Sequence, residues 1–596
     1  MRNKFSGYIY VFSCIILAWT SLNFYPKWQK ENGEAAISYD VAGYYWYLPS
    51  LFIYHDLKHQ SFADTVIKKY KMTPELPGYK TDNGNYVLKY SSGMALMYLP
   101  SFTIAHLYAR SSGYPPDGFS APYQLAIQLS GLLISIIGLW YFRNLLLLFY
   151  GDAVVAISML LLVIGTNYID FAAINIGMSH TWLFTLYVLL LLNTINFYKG
   201  YQYKYAIKIG LLIGLLALAR PTEIIACLIP FLWGLENVFP ATIKSRITLL
   251  WQQWKKIIVT AVCALAVLSI QLVYWKYVSG HWLQYSYQDQ GFSWLHPHVR
   301  VYAFNYRSGW ITYAPMLLFA IIGIVPFLKY GKNRVAILLF FVLNYYIVSA
   351  WDIWWYGGRA MIQSYPILFF PFASLVDYAM RRRGLLFIAA PVVLFFIYFN
   401  IWLTYHEHKG TMYTPDNMTK AYFWRVVGRW SVPDETVKLR DNPDLFEGTP
   451  KNMHLLYQND FESDSLLYCP VPPIAGHSSV YIDNKHTGSV IYKFPYEGGN
   501  GANWLRAQAT FRSISKEWTY WAMTQFIVHY YNKGKEIKVA MIRADRFLND
   551  GETKDLYIDS KIPREAIDTV GISFWYPGND DKKIQVDNLK VWSFNE

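Results

Sequence analysis

The chain has 596 residues, of which 54% are hydrophobic, 18% are aromatic and only 16% are charged. Soluble domains carry about a quarter charged residues, so this composition argues against a soluble protein and against a disordered one. The formal net charge is +13. Much of the Lys and Arg lies in short segments between apolar blocks, which membrane topology explains better than nucleic-acid binding does. Four cysteines are too few for a disulfide framework, and we expect no structural disulfide.

Apolar blocks of roughly 16–21 residues, close to the ~20 that cross a bilayer, dominate the chain as far as residue 404. The first block, residues 8–24, follows the basic start Met-Arg-Asn-Lys and lacks a small-residue cleavage site. We therefore expect a retained first span with its basic end inside. The blocks together predict a polytopic α-helical membrane protein with about eleven transmembrane helices. They lie near 8–24, 122–142, 152–167, 180–197, 205–219, 222–237, 257–277, 311–328, 335–350, 361–379 and 385–404.

Basic residues orient these spans, because short cytoplasmic loops are enriched in Lys and Arg. The loops that hold Arg143, Lys199–Lys208 and Arg381–Arg383 then lie inside. The apolar block 93–109 breaks this alternation if it is counted as a crossing. We interpret it as a re-entrant or juxtamembrane helix on the outer face. Residues 25–121 then form one large external loop within a membrane domain of residues 1–404.

The composition changes after the last apolar block. Residues 405–455 are polar and mixed, and they predict a linker with short helices. Residues 456–596 contain short alternating runs separated by Gly-, Asn- and Asp-rich turns, which predicts an external all-β sandwich. Its last run, Ile584–Trp592, resembles jelly-roll carbohydrate-binding modules. Binding a glycan, positioning an acceptor and contacting a partner are all open roles for this domain.

A carboxylate follows the first span at the predicted outer face, in the sequence Ser38-Tyr39-Asp40. Asp40 opens an aromatic stretch, 44–54, that we expect at the membrane interface. A carboxylate partly desolvated by aromatic rings can act as a general base toward an acceptor hydroxyl. The alternative is a helix N-cap. Asp56, at the other end of the stretch, is the competing carboxylate.

Three cations occupy the same predicted face. Lys89 precedes the Ser91-Ser92-Gly93 sequence, where small residues would let a ligand approach closely. A lysine there can pair with a lipid phosphate, or it can simply be an interfacial residue whose ammonium reaches the surface. Arg220 lies between two spans and can grip phosphate, with Glu223 orienting it, or the two can form an ion pair that closes a tight turn.

The third cation is Arg359, in Tyr356-Gly-Gly-Arg359. The Gly-Gly pair next to a helix start favours close approach to an anion over a purely interfacial aromatic belt. His180 begins a span on the outer side, where it can position a sugar or phosphate or simply start the helix. Arg307 lies in the external segment 279–310. We assign no metal site, because His296-Pro-His298 lacks a third ligand at a useful interval.

The sequence has no Walker A loop, no HExxH motif and no dinucleotide-binding glycine pattern. Its cytoplasmic loops are too short to hold an ATPase. We therefore expect the energy for any reaction to come from the substrate, as an activated lipid in the membrane. No cofactor is expected, and a divalent cation at a donor phosphate stays open.

The layout of residues 8–404 resembles the GT-C glycosyltransferases, which use lipid-linked sugars. Within them it looks most like the branch that contains protein O-mannosyltransferases and the aminoarabinose transferase of lipid A. In that branch an acidic residue follows the first helix and a Lys precedes an apolar stretch, as Asp40 and Lys89 do here. The resemblance implies that Asp40 is the general base or orients the acceptor, and that Lys89 binds donor phosphate. Arg220 and Tyr356–Arg359 look like the family's later outer-face residues.

The chain departs from this family in two places. Asp40 is followed by Val41 rather than by a second acidic residue, and Lys89-Tyr-Ser-Ser replaces the Lys-Pro-Pro or His-Pro-Pro signature. These departures leave the sugar and the acceptor open.

The interpretation is a bacterial, multi-pass inner-membrane glycosyltransferase with an external C-terminal domain. It moves a sugar, with inversion, from a polyprenyl-phosphate donor to a glycan, lipid or protein acceptor. Asp40 is the catalytic residue, Lys89, Arg220 and Arg359 bind the donor phosphate, and His180, Glu223, Tyr356 and Arg307 bind substrate. One alternative is a transporter or flippase for a lipid-linked glycan, which predicts charges along a mid-membrane path. Another is a membrane-anchored binding protein, which would need a single span.

Overall fold

The computed structural model describes residues 4–351, 356–410, 412–413, 418–462, 470–497, 501–514, 522–578 and 583–596. The chain forms two compact units, Met1–Thr411 and Met412–Glu596. The first unit is helical and the second is built mainly of strands.

Nineteen α-helices were found among the described residues of the first unit. They are α1 (Lys4–Trp19), α2 (Tyr39–Tyr45), α3 (Tyr47–Phe52), α4 (Ala63–Tyr70), α5 (Gly93–Ser111), α6 (Ala121–Leu146), α7 (Asp152–Gly165), α8 (Ser179–Gly200), α9 (Tyr203–Ala219), α10 (Leu228–Leu232), α11 (Pro240–Gln252), α12 (Trp254–Ser279), α13 (Val299–Phe304), α14 (Trp310–Tyr313), α15 (Leu318–Ile322), α16 (Ile324–Tyr330), α17 (Arg334–Ala350), α18 (Tyr365–Met380) and α19 (Arg383–His408). Short 3-10 or π-helices join several of them, including Asp170–Ile174, Pro221–Cys227 and Tyr356–Ser364.

Six helical segments of the described chain are long and apolar enough to cross a membrane. They are Lys4–Gln29, Ala121–Leu146, Ser179–Gly200, Trp254–Ser279, Gly357–Met380 and Gly384–His408. Four further apolar segments are shorter, namely Asp152–Gly165, Pro221–Leu232, Pro315–Tyr330 and Arg334–Ala350. All ten coincide with predicted apolar blocks, and the eleventh block, 205–219, is the 17-residue helix α9. The four shorter segments and α9 account for the difference between eleven predicted spans and six long segments. Breaks such as the one at Gly323, between α15 and α16, divide blocks that are continuous in the sequence.

The predicted external loop 25–121 is an ordered part of the first unit. It holds α2–α5 and a two-stranded antiparallel hairpin of β1 (Gly78–Lys80) and β2 (Tyr86–Leu88). The apolar block 93–109 is the 19-residue helix α5, with Pro100 in its interior. Tyr45, the last residue of α2, and Trp46, which follows it, are fully buried. Tyr45 donates a hydrogen bond to the Gly118 carbonyl 2.6 Å away. The aromatic stretch therefore packs inward and fixes the position of α2.

The second unit contains two short helices, α20 (Lys420–Val426) and α21 (Asp434–Lys438), followed by two antiparallel sheets. One sheet has the order β5-β10-β7-β8, and the other has the order β3-β11-β6-β9 with β4 also paired to β11. The strands are β3 (Lys451–Asn459), β4 (Val480–Ile482), β5 (Tyr492–Pro495), β6 (Trp504–Ser513), β7 (Gln525–Asn532), β8 (Lys535–Arg543), β9 (Thr553–Lys561), β10 (Thr569–Trp575) and β11 (Ile584–Asn595).

The alternation of apolar and polar residues along the sequence explains why these segments form strands. In β6 the residues alternate between buried and half-buried along most of the strand, as expected when one face of a strand meets a core. Phe511 of one sheet and Phe526 of the other lie in the same apolar cluster, with ring centroids 5.4 Å apart. The prediction of many short strands in the C-terminal region is confirmed. Cys469 lies outside the described residues, and Cys14, Cys227 and Cys263 are free thiols.

Candidate functional site

The carboxylate of Asp40 is held by two donors from distant parts of the chain. Arg359 Nη2 lies 2.7 Å from Asp40 Oδ2, and the Tyr90 hydroxyl donates to Oδ1 over 2.6 Å. The Asp40 and Arg359 side chains are about one quarter exposed, at 25% and 26%. Each carboxylate oxygen keeps a further acceptor position, so the ion pair leaves Asp40 able to accept a proton from a ligand.

The structure does not place Asp40 at the N-cap position that the alternative interpretation gave it. The N-cap position of α2 belongs to Ser38, and Asp40 lies within the first turn of the helix, with its carboxylate committed to Arg359 and Tyr90. The competing carboxylate, Asp56, organises its own turn by accepting hydrogen bonds from His59 and Ser61. Partial burial raises the pKa of Asp56, but the bonds from Ser61 and His59 outweigh it and lower that pKa to about 2. Asp56 is therefore a weak base.

Tyr44 lies where the candidate charges meet. Burial raises the pKa of its phenol, the charge of Asp40 raises that pKa further, and the charges of Arg220 and Arg359 lower it. The phenol is therefore within electrostatic reach of the carboxylate and of both guanidinium groups. Its ring packs edge-on against Tyr90, with centroids 4.6 Å apart. Burial also raises the pKa of Tyr90, so both phenols stay protonated hydrogen-bond donors at neutral pH.

Lys89 lies on the same aromatic cluster. Its ammonium is 5.7 Å from the ring centroid of Tyr90 and 5.5 Å from that of Tyr287. Desolvation lowers the pKa of Lys89, while the charges of Asp40 and Asp289 act in the opposite direction. The Lys89 carbonyl accepts a hydrogen bond from Ser286 at 2.6 Å, which fixes the backbone next to the segment that carries Tyr287.

A chain of buried polar side chains lies behind Arg220. Its Nη1 atom is 3.4 Å from His180 Nδ1, which is 3.1 Å from Gln363 Oε1. The Gln363 amide donates to Glu223 Oε1 over 3.0 Å, and Tyr187 donates to Glu223 Oε2. Glu223 thus uses its two oxygens for Gln363 and Tyr187, and His180, Gln363 and Glu223 form a relay of buried side chains. The charge of Glu223 still acts on Arg220, and the Glu223 N–H donates to the Arg220 carbonyl across the turn. His180, Gln363 and Glu223 are all buried.

The relay also assigns the tautomer of His180. Because the Gln363 amide nitrogen donates to Glu223, its oxygen is the acceptor that faces His180 Nδ1. Nδ1 therefore carries the proton and donates to Gln363, and Nε2 is the acceptor atom of the neutral ring. Arg220 Nη1 is itself a donor, so its 3.4 Å approach to Nδ1 is a contact between two donors and not a hydrogen bond. Among the residues that the structure describes, His180 Nε2 is buried and has no hydrogen-bond partner.

The space beside Gly93 and beside the Gly357–Gly358 pair is filled by other parts of the protein. This corrects the sequence interpretation, in which a ligand approached these glycines. A Cβ on Gly93 would lie 2.3 Å from the Ala219 backbone nitrogen, so Gly93 lets α5 begin against the end of α9, next to Arg220. Gly357 and Gly358 have φ of 54° and 60°, and a Cβ on Gly358 would lie 2.5 Å from Trp310 Cβ. Their carbonyls accept from Asn167 and Tyr302, and the Gly358 N–H donates to Ser308. The glycines therefore place Arg359, and the Gly358 N–H is already used.

Replacing Gly358 by Ala is expected to destabilise the first unit. A left-handed conformation costs a non-glycine residue about 1–2 kcal/mol, and the new methyl group also meets Trp310. We expect the thermal unfolding temperature of the detergent-purified protein to fall by several degrees. The matched control is Gly384→Ala, because a Cβ there meets nothing within 4 Å. Equal unfolding temperatures for the two variants would contradict the prediction.

Tyr356 and Arg307 are the two remaining residues that were predicted to bind substrate. Tyr356 begins the 3-10 helix Tyr356–Ser364, and its side chain lies outside the described features. Arg307 is exposed, on the turn after α13, and its backbone N–H donates to Asn305. The structure therefore brings together Asp40, Lys89, Arg220, Arg359, His180 and Glu223.

Sequence reasoning missed Tyr187, Gln363 and Tyr287 and gave no role to Tyr44 or Tyr90. Tyr44 and Tyr90 belong to the motifs that were singled out for Asp40 and Lys89, so their position in those motifs was the available signal. Gln363 and Tyr187 lie in predicted spans, where a single uncharged polar residue is not distinctive in a sequence.

No protein-family model and no curated protein sequence matches the chain. It is similar to the solved structure of the archaeal oligosaccharyltransferase AglB from Archaeoglobus fulgidus, in complex with an inhibitory peptide and a dolichol-phosphate. That match has 11% identity and a TM-score of 0.39, and it covers 71% of this chain and 57% of that one. It is also similar to the arabinosyltransferase EmbB from Mycobacterium smegmatis, with 10% identity, a TM-score of 0.38 and coverage of 100% and 65%. The chain thus spans less than two thirds of the length of either structure.

Proposed function

We propose that this chain is an integral membrane glycosyltransferase that transfers a sugar from a polyprenyl-phosphate donor to an acceptor hydroxyl, with inversion. The observation that carries the proposal is the position of the Asp40 carboxylate, which is hydrogen-bonded to Arg359 and interacts electrostatically with Lys89. The neighbouring Tyr44 interacts electrostatically with both Asp40 and Arg220. This is the set of groups that sugar transfer from a phosphate leaving group needs, namely a base and several cations.

The cations match the charge that develops on the leaving group. When the bond between the anomeric carbon and the phosphate oxygen breaks, the electron pair stays on the phosphate, which gains one negative charge. Lys89, Arg220 and Arg359 would stabilise that charge electrostatically. Each guanidinium has five N–H donors, so Arg359 can hold Asp40 and still donate to phosphate. The buried side chains of His180, Gln363 and Glu223 lie behind Arg220.

Asp40 would supply the base. The acceptor hydroxyl attacks the anomeric carbon on the side opposite the phosphate, and its proton passes to Asp40, so the new glycosidic bond has the inverted configuration. The two donors that fix the carboxylate, Arg359 and Tyr90, come from different parts of the chain and hold it in one orientation. A base held in this way is preorganised for the proton transfer. His180 Nε2 is a second buried acceptor, suited to a sugar hydroxyl.

The remaining details of the interpretation belong to this proposal. They are the GT-C architecture with about eleven spans, the location in a bacterial inner membrane, the external face of the site and a jelly-roll-like C-terminal domain that meets the acceptor glycan. The positive-inside pattern supports the external face, since Lys199 lies at the other end of α8 from His180, and Arg381 follows the other end of the segment Gly357–Met380 from Arg359. Glycan, lipid and protein acceptors are all compatible with the groups of the site.

A transporter or flippase for a lipid-linked glycan is the second candidate. It predicts charged side chains spaced along a path through the membrane. The relay of His180, Gln363 and Glu223 does carry polar groups into the buried part of the unit. The cations, however, gather around Asp40 and Tyr44, an arrangement that favours chemistry at one place.

The deciding experiment is a transfer assay with the purified full-length protein in lipid. Radiolabelled polyprenyl-phosphate sugars are supplied with bacterial envelope glycans, lipids and peptides, and the lipid and acceptor products are separated. Time-dependent label in an acceptor, with release of polyprenyl phosphate, is the expected result. Movement of intact labelled lipid between leaflets of the vesicles, with no label in any acceptor, would instead establish the transporter.

The lowered pKa of Lys89 predicts a pH dependence of donor binding. Lysine binds phosphate only while protonated, so affinity should fall as the pH rises through a pKa that lies below the ordinary ~10.4. The donor is a phosphodiester and keeps its charge over this range. We expect the dissociation constant to increase as the pH rises through this lowered pKa, and therefore at a lower pH than for an unperturbed lysine. Lys89→Arg stays charged and should remove this dependence, whereas an identical pH profile in the variant would rule out Lys89 as its source.

A further inference from the structure

A second group of ionisable side chains lies where three separate segments of the first unit meet. Asp170 begins the π-helix Asp170–Ile174 after α7, and Glu407 and His408 are the last two residues of α19. Lys27, at the end of the first apolar helical segment, is next to them. π-Helical turns are rare and concentrate at functional sites. None of these residues belongs to the relay around Asp40 and Arg220.

The geometry of the group is that of a metal site. One ligand atom each from Asp170, Glu407 and His408 lies within 4.8 Å of the other two. His408 Nε2 is 2.6 Å from Asp170 Oδ1 and 3.9 Å from Glu407 Oε2. The three side chains are nearly or fully buried, with exposures of 0% for Asp170, 11% for Glu407 and 9% for His408. Nitrogen and oxygen ligands bind Zn²⁺ at about 2.0–2.2 Å, so modest side-chain rotations would close around an ion.

The surroundings support the ligands in the way that metal sites require. The Asn175 amide donates to both oxygens of Asp170, over 3.2 and 3.0 Å, and thus orients that carboxylate. Lys27 in turn donates to the Asn175 oxygen over 3.0 Å, which fixes the amide. Such outer hydrogen bonds typically orient metal-binding side chains.

The charges around the group also favour a cation. Three carboxylates, those of Asp170, Glu407 and Glu34, lie around the single ammonium of Lys27. Glu34 is exposed, so with a neutral His408 the carboxylates of Asp170 and Glu407 and the ammonium of Lys27 together carry one excess negative charge, and an uncompensated charge is costly to bury. Two further lysines at the rim, Lys30 and Lys409, are exposed and lie over the rings of Tyr25 and Phe24.

We propose that Asp170, Glu407 and His408 bind one divalent transition-metal ion, Zn²⁺ or Mn²⁺, with water in the remaining positions. The ion would take the place of the proton that Asp170 and His408 share. It would join the loop after α7 to the end of the last apolar helix, beside the end of the first. The role of this site is to hold these segments together, and it is independent of the proposed sugar transfer.

The test uses the full chain purified in detergent and stripped with a chelator. ZnCl₂ or MnCl₂ is titrated calorimetrically, bound metal is measured by mass spectrometry, and thermal unfolding is followed with and without metal. We expect one equivalent of ion per chain, a dissociation constant of micromolar or tighter and a higher unfolding temperature with metal. Asp170→Asn and His408→Gln should each weaken binding by at least about 10-fold. Removing the hydrogen-bond partner of a ligand already weakens metal binding by that factor, and removing the ligand itself should cost at least as much.

His281→Gln is the matched control, since His281 is an exposed histidine of the same unit. It should bind metal like the unmodified chain. If Asp170→Asn and His408→Gln fail to fold, the titration of the unmodified chain still decides the question. Absence of an equivalent of bound zinc or manganese in that titration would overturn the proposal and leave Asp170 and His408 as a simple hydrogen-bonded pair. Equal affinity in the folded variants would overturn it as well.

Discussion

Asp40→Asn is expected to reduce the rate of sugar transfer by about 10²- to 10⁴-fold, the usual contribution of a general base. The amide has nearly the shape of the carboxylate but cannot accept the proton of the acceptor hydroxyl. The structure adds a second consequence, because the substitution also removes the negative partner of Arg359. The freed guanidinium should bind donor phosphate at least as well as before. We therefore expect a lower turnover number together with an unchanged or smaller donor dissociation constant.

This split distinguishes a base from a residue that only positions Arg359. If Asp40 merely oriented the guanidinium, the variant would lose donor affinity and rate together. Asp56→Asn is the matched control, since Asp56 lies in the same segment, residues 25–121, and its carboxylate serves a local turn. It should keep full transfer activity. Turnover of the Asp40→Asn variant within a few-fold of the unmodified chain would eliminate Asp40 as the base.

Arg220→Gln is expected to lower the transfer rate by about 10²- to 10³-fold, the typical effect of removing one preorganised donor to a developing charge. Donor affinity should fall as well, since in the proposed mechanism the guanidinium also meets the phosphate of the bound donor. Arg220→Lys should recover only part of the loss, because an ammonium keeps the charge but lacks the planar pair of donors. The measurements are single-turnover rates and binding of a non-hydrolysable polyprenyl phosphate analogue.

The control for this experiment is Arg300→Gln, in an exposed arginine of the same unit. It removes the same charge away from the relay and should leave both quantities unchanged. A comparable loss in Arg300→Gln would mean that net charge at the surface, rather than a specific contact of Arg220, governs donor binding. Full activity in Arg220→Gln would remove Arg220 from the site.

Local patterns in the sequence predicted much of the architecture. Apolar blocks identified the helices of the first unit, and alternation identified most strands of the second. Two strands, β3 and β9, were not predicted. The alternating runs of the sequence are 479–483, 488–494, 504–513, 519–531, 536–543, 567–576 and 584–594. β3 is an exposed edge strand with the polar start Lys451-Asn452, and β9 alternates polar residues with only a few apolar ones. Both strands depend on neighbours for pairing, and a neighbour is not visible in a local pattern.

The site separates local from tertiary information in the same way. Charge at the predicted outer face pointed to Asp40, Lys89, Arg220 and Arg359 one at a time, and their roles stay predictions. The sequence interpretation of the glycines was wrong in one respect. A side chain at Gly93 would collide with the Ala219 backbone, and one at Gly358 would collide with Trp310. The space that was suggested for a ligand is therefore occupied by the protein.

The sequence by itself determined that the chain is a helical membrane protein followed by a β-domain, because hydropathy and alternation are properties of neighbouring residues. Only the tertiary structure decided that Asp40 meets Arg359, 319 residues away, and that Gln363 joins His180 to Glu223 beside Arg220. It also decided that Asp170 meets His408, 238 residues further on. Such contacts depend on how helices pack against one another, and packing is set by the shapes of many side chains together rather than by any local run of sequence.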